Sequence, residues 1–495
     1  MILIGGVHRP KDSGVLEVSV RVPTPKMILA TSLLIGLGLT GCSVGPDYEH
    51  PATETPDHWD ASAPMGDGVT GDWWKSFRHS ELDRLIVQAQ AGSLDLAAAT
   101  ARVRQADAQL RIARAGLLPA VSLSAGASRS GSQIPSFGKG VDYNTFDLIL
   151  GASYELDFWG KNADAAQAAQ AGLDASNYDR QTVLLTLNAS VATTYFTILS
   201  LTDRINVAQH NLTNAQNTLE AFQARMSVGL ASALDIAQQE SIVAEQRAAL
   251  PPLTQALRQN IYALAVLAGR LPETLTFDSQ SLDAITLPDV NPGLPSSLLA
   301  RRPDVQRSEA MLISANASIK QAIASVFPSI VLTAQGGVES GALNTLLQPG
   351  GLLYSLGASL TQPIFKGEAL QGGIDLARAQ YDELLTDYRK TVIAAFQDVE
   401  SSLVTVDMTA KQEKAQRFAV DTAMTAYQIT QEQLKSGTAD ILTVLNVQRT
   451  LFQSQDQLLQ TRLAHLTAIV GLYRSLGGGW SVETPDTPPV ATEQP

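Results

Sequence analysis

The chain has one cysteine, Cys42, in 495 residues, so no internal disulfide can staple the fold and no Cys-rich zinc or iron–sulfur site can form. Histidine is scarce as well: the six stand at 8, 50, 58, 79, 210 and 465, never at a metal-ligand spacing such as HxxxH. Aromatics are 6% of the chain and charged residues 17%, a poor composition for a compact aromatic-cored enzyme. Basic side chains are outnumbered 35 to 48, giving a formal net charge of −13. That argues against a nucleic-acid partner, which calls for a basic stripe to displace counterions. The phosphate loop GxxxxGK[ST] is missing, and no nucleophile motif accompanies the scattered Asp and His. Beyond residue 41 no uninterrupted apolar run reaches the roughly 18 residues of a membrane helix, so any crossing must be made by strands. What the chain does have is Ala, Leu, Gln and Ser in quantity, the material of long packed helices.

The N-terminus reads as an address. Residues 27–40, MILATSLLIGLGLT, form an apolar run of 14 behind Arg21 and Lys26, too short to span a bilayer and laid out as a secretory signal. The run closes on Leu39-Thr40-Gly41-Cys42, which resembles the bacterial lipobox. Removal of 1–41 and lipidation of Cys42 would leave several acyl chains, and several anchor firmly where one holds only marginally. Ser43 stands where an Asp would signal retention in the inner membrane, so the outer membrane is the expected address. Apart from this covalent lipid, no cofactor and no metal is expected.

The remainder repeats itself. DLAAATARVRQADAQLRIARAGLLPAVSLSA from Asp95 and DVQRSEAMLISANASIKQAIASVFPSIVLTA from Asp304 lie 209 residues apart, each with a proline 24 residues on, Pro119 and Pro328. SVGLASALDI (227–236) and KSGTADILTV (435–444) recur at an offset of 208 and pair Gly229 with Gly437. Each half reads as a helix, two strands and a long helix pair. Proline ends the first helix by removing a donor and biasing its predecessor to extended geometry. Period two follows. Val121, Leu123, Ala125 and Ala127 alternate with Ser122, Ser124, Gly126 and Ser128. Phe146, Leu148, Leu150, Ala152, Tyr154, Leu156 and Phe158 alternate with Asp147, Ile149, Gly151, Ser153, Glu155 and Asp157. Ile330, Leu332 and Ala334, then Leu352, Tyr354, Leu356, Ala358 and Leu360, do the same in the second half.

Strands are therefore expected at about 120–129, 145–158, 329–338 and 352–362, joined pairwise by Gly/Ser-rich loops at 129–144 and 339–351. Their length matches the ~9–11 residues of a tilted membrane strand, and a small polar face suits a water-filled lumen. Four strands enclose nothing, because the smallest bacterial outer-membrane barrels have about 8. The chain must oligomerise: two copies supply eight strands and three supply twelve.

The helices are longer. Leu184, Leu187, Val191, Thr194, Ile198, Leu201, Ile205, Ala208, Leu212, Ala215, Leu219, Phe222 and Met226 recur at spacings of three and four, a coiled-coil seam. A helix over 163–228 would run ~100 Å. Its counterpart over 368–435 blurs across DMTAKQEKAQ (407–416). Both turn at a glycine, Gly229 or Gly437, placed where a helix end admits a left-handed residue. Helices return over 232–268, where Pro251-Pro252 predict a break or kink, and over 439–474. In each half the short helix and the return helix could stack end to end.

The expected layout is a signal peptide (1–41), an N-terminal lipidated extended segment and first helix (42–94), repeat 1 (95–286), a Pro-rich linker (287–303), repeat 2 (304–476) and a flexible tail (477–495). The fold class is mainly α, with long coiled-coil helices and a small membrane β part.

At this point the residues resemble a known family, the TolC-like outer-membrane efflux proteins, in the lipoprotein branch paired with resistance-nodulation-division pumps. CSVGPDYEHP (42–51) is similar to the start of those mature lipoproteins, and WWKSFRHSELDRLI (73–86) to their WWxxFxDxxLxxLI segment, with His79 in place of Asp. DLAAATARVRQADA, LLARRPDV (298–305), RMSVGLASALDI and LKSGTADILTVLNVQR complete the set in family order, across nearly all of 42–480. The resemblance implies a homotrimer with a twelve-strand β-barrel in the outer membrane and a twelve-helix α-barrel through the periplasm. It implies a passive exit duct, joined by a periplasmic adaptor to an inner-membrane pump, that expels drugs, solvents or metals.

In that family charged and polar contacts near the helix turns close the periplasmic end. Carried over by motif, the role falls on Asp235 and, near the second turn, on Asp440. Where relatives often read VLDAQR this chain has VLNVQR, so Asn446 replaces a carboxylate. The competing reading of Asp235 and Asp440 is helix-start capping after a glycine turn. Trp73 and Trp74 read as packing anchors. Two other functions stay open: the exit duct of a protein-secretion exporter, and a coiled-coil lipoprotein rod that leaves the four strands unused. A surface hydrolase has no catalytic constellation to offer.

Overall fold

The computed structural model describes residues 44–60, 69, 71–133, 140–274 and 280–480. The expected signal, Cys42 and the tail from 481 lie outside the described residues. After a 3-10 turn at Trp73–Phe77 come helices α1 (Ser80–Gly92) and α2 (Leu94–Ala115), strands β1 (Ala120–Gln133) and β2 (Gly140–Leu156), and helices α3 (Lys161–Ser227) and α4 (Ala233–Leu267). The second half runs α5 (Pro295–Arg301), α6 (Pro303–Ala324), β3 (Ser329–Ser340), β4 (Leu352–Thr361), α7 (Ala369–Lys435) and α8 (Ile441–Ser475). The repeat is visible in the lengths. α2 and α6 both have 22 residues, α3 and α7 both 67, α4 and α8 both 35.

Local chemistry sets the helix ends. The Ser93 hydroxyl accepts from the Leu96 N–H and starts α2. The Asp157 carboxylate accepts from the backbone N–H groups of Asn162 (3.0 Å) and Ala163 (2.7 Å), anchoring the first turn of α3. Of the break or kink expected at Pro251-Pro252, the break does not occur: α4 continues through both prolines. They sit on an exposed face, as do Arg247 and Ala248, whose carbonyls lose their helical donors and can turn to water. α3 also has an apolar window long enough to cross a membrane, but half of it is buried, because this is the packed seam itself.

The central core lies halfway along α3. Leu187, Val191, Tyr195, Phe196 and Leu199 pack with Leu264 of α4, Leu466 and Tyr473 of α8, and the Trp73–Phe77 turn. Trp73 stacks on Tyr473 at 5.1 Å and Phe77 tilts against Phe196 at 5.1 Å. Each such side chain contributes about 1.5–3 kcal/mol on burial. A second cluster around Phe222, Ile242, Tyr427 and Phe452 fills the far end, and a third binds Leu298 and Val305 to Val392 and Val399 of α7.

The short and return helices meet end to end in both halves. A Cβ on Gly269, after α4, would collide with the Gly92 carbonyl, and one on Gly477, after α8, with the Arg301 carbonyl. These two contacts are repeat equivalents. GGGW (477–480), expected as a flexible exit, is therefore packed: Gly477 and Gly478 are buried and Trp480 stands edge-on to Tyr178. Only glycine fits, since Gly477 combines φ +83° with that carbonyl contact.

The strands exceed their expected bounds. β1 and β2 remain paired from Ala120–Ser153 out to Gln133–Gly140, through most of the segment expected as a loop. An antiparallel hairpin satisfies its own backbone groups whatever its side chains, so Gly and Ser extend the ladder rather than end it. β3 likewise reaches Ser340, whereas β2 stops at Leu156, two residues short of Phe158.

Residues 44–60 have no regular structure but are firmly seated. The Lys320 ammonium donates to Asp47 at 2.7 Å, Asn316 donates to the Pro46 carbonyl at 3.2 Å, and the Tyr48 hydroxyl donates to Glu309 at 3.3 Å. His50 pairs with Glu309 at 2.7 Å and meets Tyr388 edge-on. The Trp59 indole donates to the Gly293 carbonyl at 2.8 Å. The segment is a strap along α6 and α7.

Candidate functional site

Two regions carry functional geometry: the sheet at one end and the two helix turns at the other. The sheet has order β1-β2-β3-β4, all antiparallel. Its register places Val121, Leu123, Ala125 and Ala127 beside Ala152, Leu150, Leu148 and Phe146. The row continues through Ala334, Gly336 and Val338 to Leu356, Tyr354 and Leu352. One face is therefore apolar across all four strands. Among the described residues nothing covers it: Tyr354 is 81% exposed, Leu356 79% and Leu123 68%. The other face carries Ser122, Ser124, Asp147, Ser153, Glu155, Thr333, Gln335, Glu339, Ser355 and Ser359. Asp147 and Glu339 stand directly opposite one another, a like-charge pair that is tolerable only in water. β1 and β4 are free edges, whose unpaired N–H and C=O groups cannot face lipid.

At the opposite end each long helix closes on its glycine. Gly229 has φ +78° and Gly437 φ +74°. The Leu230 N–H donates to the Arg225 carbonyl at 2.8 Å and the Thr438 N–H to the Gln433 carbonyl at 2.9 Å, so the left-handed residue lets the chain reverse over its own last carbonyls. Asp235 completes a capping box: its carboxylate accepts from the Ser232 N–H (2.7 Å) and hydroxyl (2.8 Å), while its own N–H donates to the Ser232 hydroxyl (3.3 Å). Asp440 is the N-cap of α8 and accepts from the Thr443 N–H at 2.7 Å. The Thr443 hydroxyl and N–H together hold its carboxyl below the ordinary Asp value. Asn446 is exposed on α8, six residues on. Within one chain both carboxylates thus have capping work.

Other residues join the two halves here. The Arg225 guanidinium donates to the Leu434 carbonyl at 3.0 Å, tying the last turn of α3 to that of α7. Gln239 and Gln448, one from each return helix and both 0% exposed, sit inside the far-end core. Gln239 donates to the Ala215 carbonyl at 2.7 Å, and Gln448 to the hydroxyls of Thr218 and Tyr427 at 3.4 Å.

Two polar knots brace the middle. Arg302, from LLARRPDV, donates to Asp304, Asp398 and the Ser475 carbonyl, which pins the start of α6 to α7 and α8. Glu413, within the segment that blurs the α7 stripe, accepts from Arg462 (3.0 Å), Arg417 (3.3 Å) and His465 (2.7 Å). Burial pushes its carboxyl up, but His465 and the arginines outweigh burial and hold it below the ordinary Glu value. Arg462 also donates to the Ile285 carbonyl at 3.0 Å, so the end of repeat 1, just before the linker, hangs on this knot.

Comparison with known proteins decides the family. The sequence model described as "Outer membrane efflux protein" matches twice, over residues 85–270 and 294–478. The chain belongs to the outer membrane efflux protein family. The two matches begin at the same 209-residue offset that the sequence shows by itself. The efflux protein is 39% identical over 468 residues to the pyoverdine export outer membrane protein OpmQ of Pseudomonas aeruginosa, covering 92% of this chain and 96% of that one. It is 32% identical to the toluene efflux pump outer membrane protein TtgF of Pseudomonas putida, with coverage of 91% and 96%. Among solved structures it superposes on the outer-membrane channel OprN with a TM-score of 0.84 and 27% identity, covering 89% of this chain and all of that one. The open-state MtrE channel of Neisseria gonorrhoeae gives 0.81 at 27%, with coverage of 88% and 98%. The efflux protein is an outer-membrane channel, and the two regions above are its membrane and periplasmic ends.

Proposed function

We propose that this efflux protein is a lipid-anchored homotrimer whose copies share one twelve-strand barrel. It acts as the passive, non-enzymatic exit duct of a tripartite system, behind a periplasmic adaptor and an inner-membrane pump. The observation that carries this reading is the sheet: an apolar face for lipid, a small polar face for water, and two free edges that only other copies can close. The strap supports the anchor on Cys42. Gly45 lies against Lys320 and Ile323, at the end of α6, which leads straight into β3. The strap that would follow a lipidated Cys42 is therefore seated at the sheet end of the helices. Opening is assigned to the helix turns, where Asp235 and Asp440 hold the first turns of α4 and α8. Relatives named for pyoverdine export make pyoverdine the first substrate to try.

The test is the mass of the complex extracted from outer membranes in mild detergent, followed by channel recordings and by pyoverdine and dye efflux from cells lacking the gene. Three chains per particle with pore activity are expected. A stable monomer without pores would leave the four strands unclosed and return the protein to the coiled-coil rod.

A further inference from the structure

The internal repeat fixes how one copy meets the next. Ala120 lies opposite Ser153 in the first hairpin, and Ser329 opposite Thr361 in the second. The hairpins therefore superpose with Ala120 on Ser329 and Ser153 on Thr361, offsets of 209 and 208. Between hairpins, β2 meets β3 with Ser153 opposite Thr333, Ala152 opposite Ala334 and Leu150 opposite Gly336. Among the described residues this junction has no partner of its own kind, since β4 and β1 are both edge strands. Applying the same step to β4, we propose that it pairs antiparallel with β1 of a second copy in one register. Thr361 then lies opposite Ser124, Leu360 opposite Ala125, Ala358 opposite Ala127 and Ile364 opposite Val121. The proposal rests on the closed-barrel reading and adds the register and the residues.

Two observations, neither used to derive that register, agree with it. The first is parity. Ala358, Leu360, Ala125 and Ala127 all belong to the apolar face, so the carried-over register keeps that face continuous across the junction, whereas a slip by one residue would turn it inward. Ile364 is 88% exposed and Val121 65%, and this pairing brings the two together. The second lies in the helices. α3 is flanked by two 22-residue helices, α2 and α6, whereas α7 packs on α6 and the seven-residue α5 and, among the described residues, has no second 22-residue helix packed along it. Ser314 of α6 donates to the Ala168 carbonyl of α3 at 2.9 Å. The equivalent of Ala168 is Leu376 on α7, 60% exposed, and the equivalent of Ser314 is Gln105 on α2, so α2 of the next copy covers Leu376.

Cysteine pairs test the register in the full-length chain. Ala358→Cys is combined with Ala127→Cys (matched), or with Ala125→Cys or Arg129→Cys (each two residues away). Outer-membrane fractions are oxidised with copper–phenanthroline and run on non-reducing gels. Within one chain these positions lie across two intervening strands, about 14 Å apart, so only chain-to-chain bonds form. Directly opposed Cβ atoms sit at about 4.5–5.5 Å and diagonal ones at about 7–8 Å, so the matched pair should give at least ~5-fold more covalent oligomer. Single-cysteine variants report the background from Cys42. A stronger product at position 125 or 129 overturns the register and leaves closure by a second copy standing. No product from any pair, with the protein present in the outer membrane, overturns both.

Discussion

Asp235 is held by Ser232 in both directions, and this reciprocity offers a way to separate charge from cap. If the turn is gripped by the capping box, Ser232→Ala costs the start of α4 about 0.5–2 kcal/mol while leaving the carboxylate in place. Single-channel recordings should then show higher conductance for Ser232→Ala as well as for Asp235→Ala. A rise in the Asp235 variant alone would assign the effect to its charge. Glu413 gives a different kind of test. Its carboxyl titrates lower in the fold than in the unfolded chain, where the value is 4.5. The stability it contributes is therefore complete above that value and is lost as pH falls through the lower, folded one. Melting of the detergent-solubilised channel between pH 5.5 and 3 should show this acid limb. In Glu413→Gln the limb should be shallower, and the melting point at pH 7 should fall, since removing the anion strands Arg462 and costs about 3 kcal/mol or more.

At the scale of elements, what the sequence made legible was whatever repeats locally. The Leu184–Met226 stripe gives away a long helix because each apolar residue reports on a neighbour one turn away, and the alternation in 146–156 does the same for a strand. The ends of β1 and β2 were not legible, because Gly and Ser do not state whether the ladder continues. Gly477 was misread as loose because its reason for being glycine, the Arg301 carbonyl, is far away in sequence. The turn glycines and acidic caps could be read from their local motif, but the buried Gln239 and Gln448 could not, since their partners lie on other helices. The two faces of β4 make opposite predictions for one substitution. Leu356→Arg places a charge toward lipid and should cost about 2–4 kcal/mol, lowering the amount of trimer in the outer membrane. Ser355→Arg points to the lumen and should leave assembly intact while shifting ion selectivity in planar-bilayer recordings.

Across the whole molecule, the strap joins parts of the chain more than 250 residues apart, with Lys320 buried beneath Asp47. Asp47→Lys should release it, seen as faster chymotrypsin cleavage at Tyr48 in membrane-embedded protein, and Asp47→Lys with Lys320→Asp should restore protection. The long helices have a mechanical consequence as well. The central core grips α3 as far as Leu199 and the helix ends at Ser227, so an arm of about 40 Å projects beyond that core, packed on α4, α7 and α8 through the far-end cluster. An arm of that length is a lever: tilting it by ~5° about the core carries its tip roughly 4 Å without breaking any bond within the helix. That travel exceeds the 3.0 Å between Arg225 and the Leu434 carbonyl. The far end can therefore widen by swinging stiff rods whose fulcrum is the aromatic core at mid-height, with no helix required to melt.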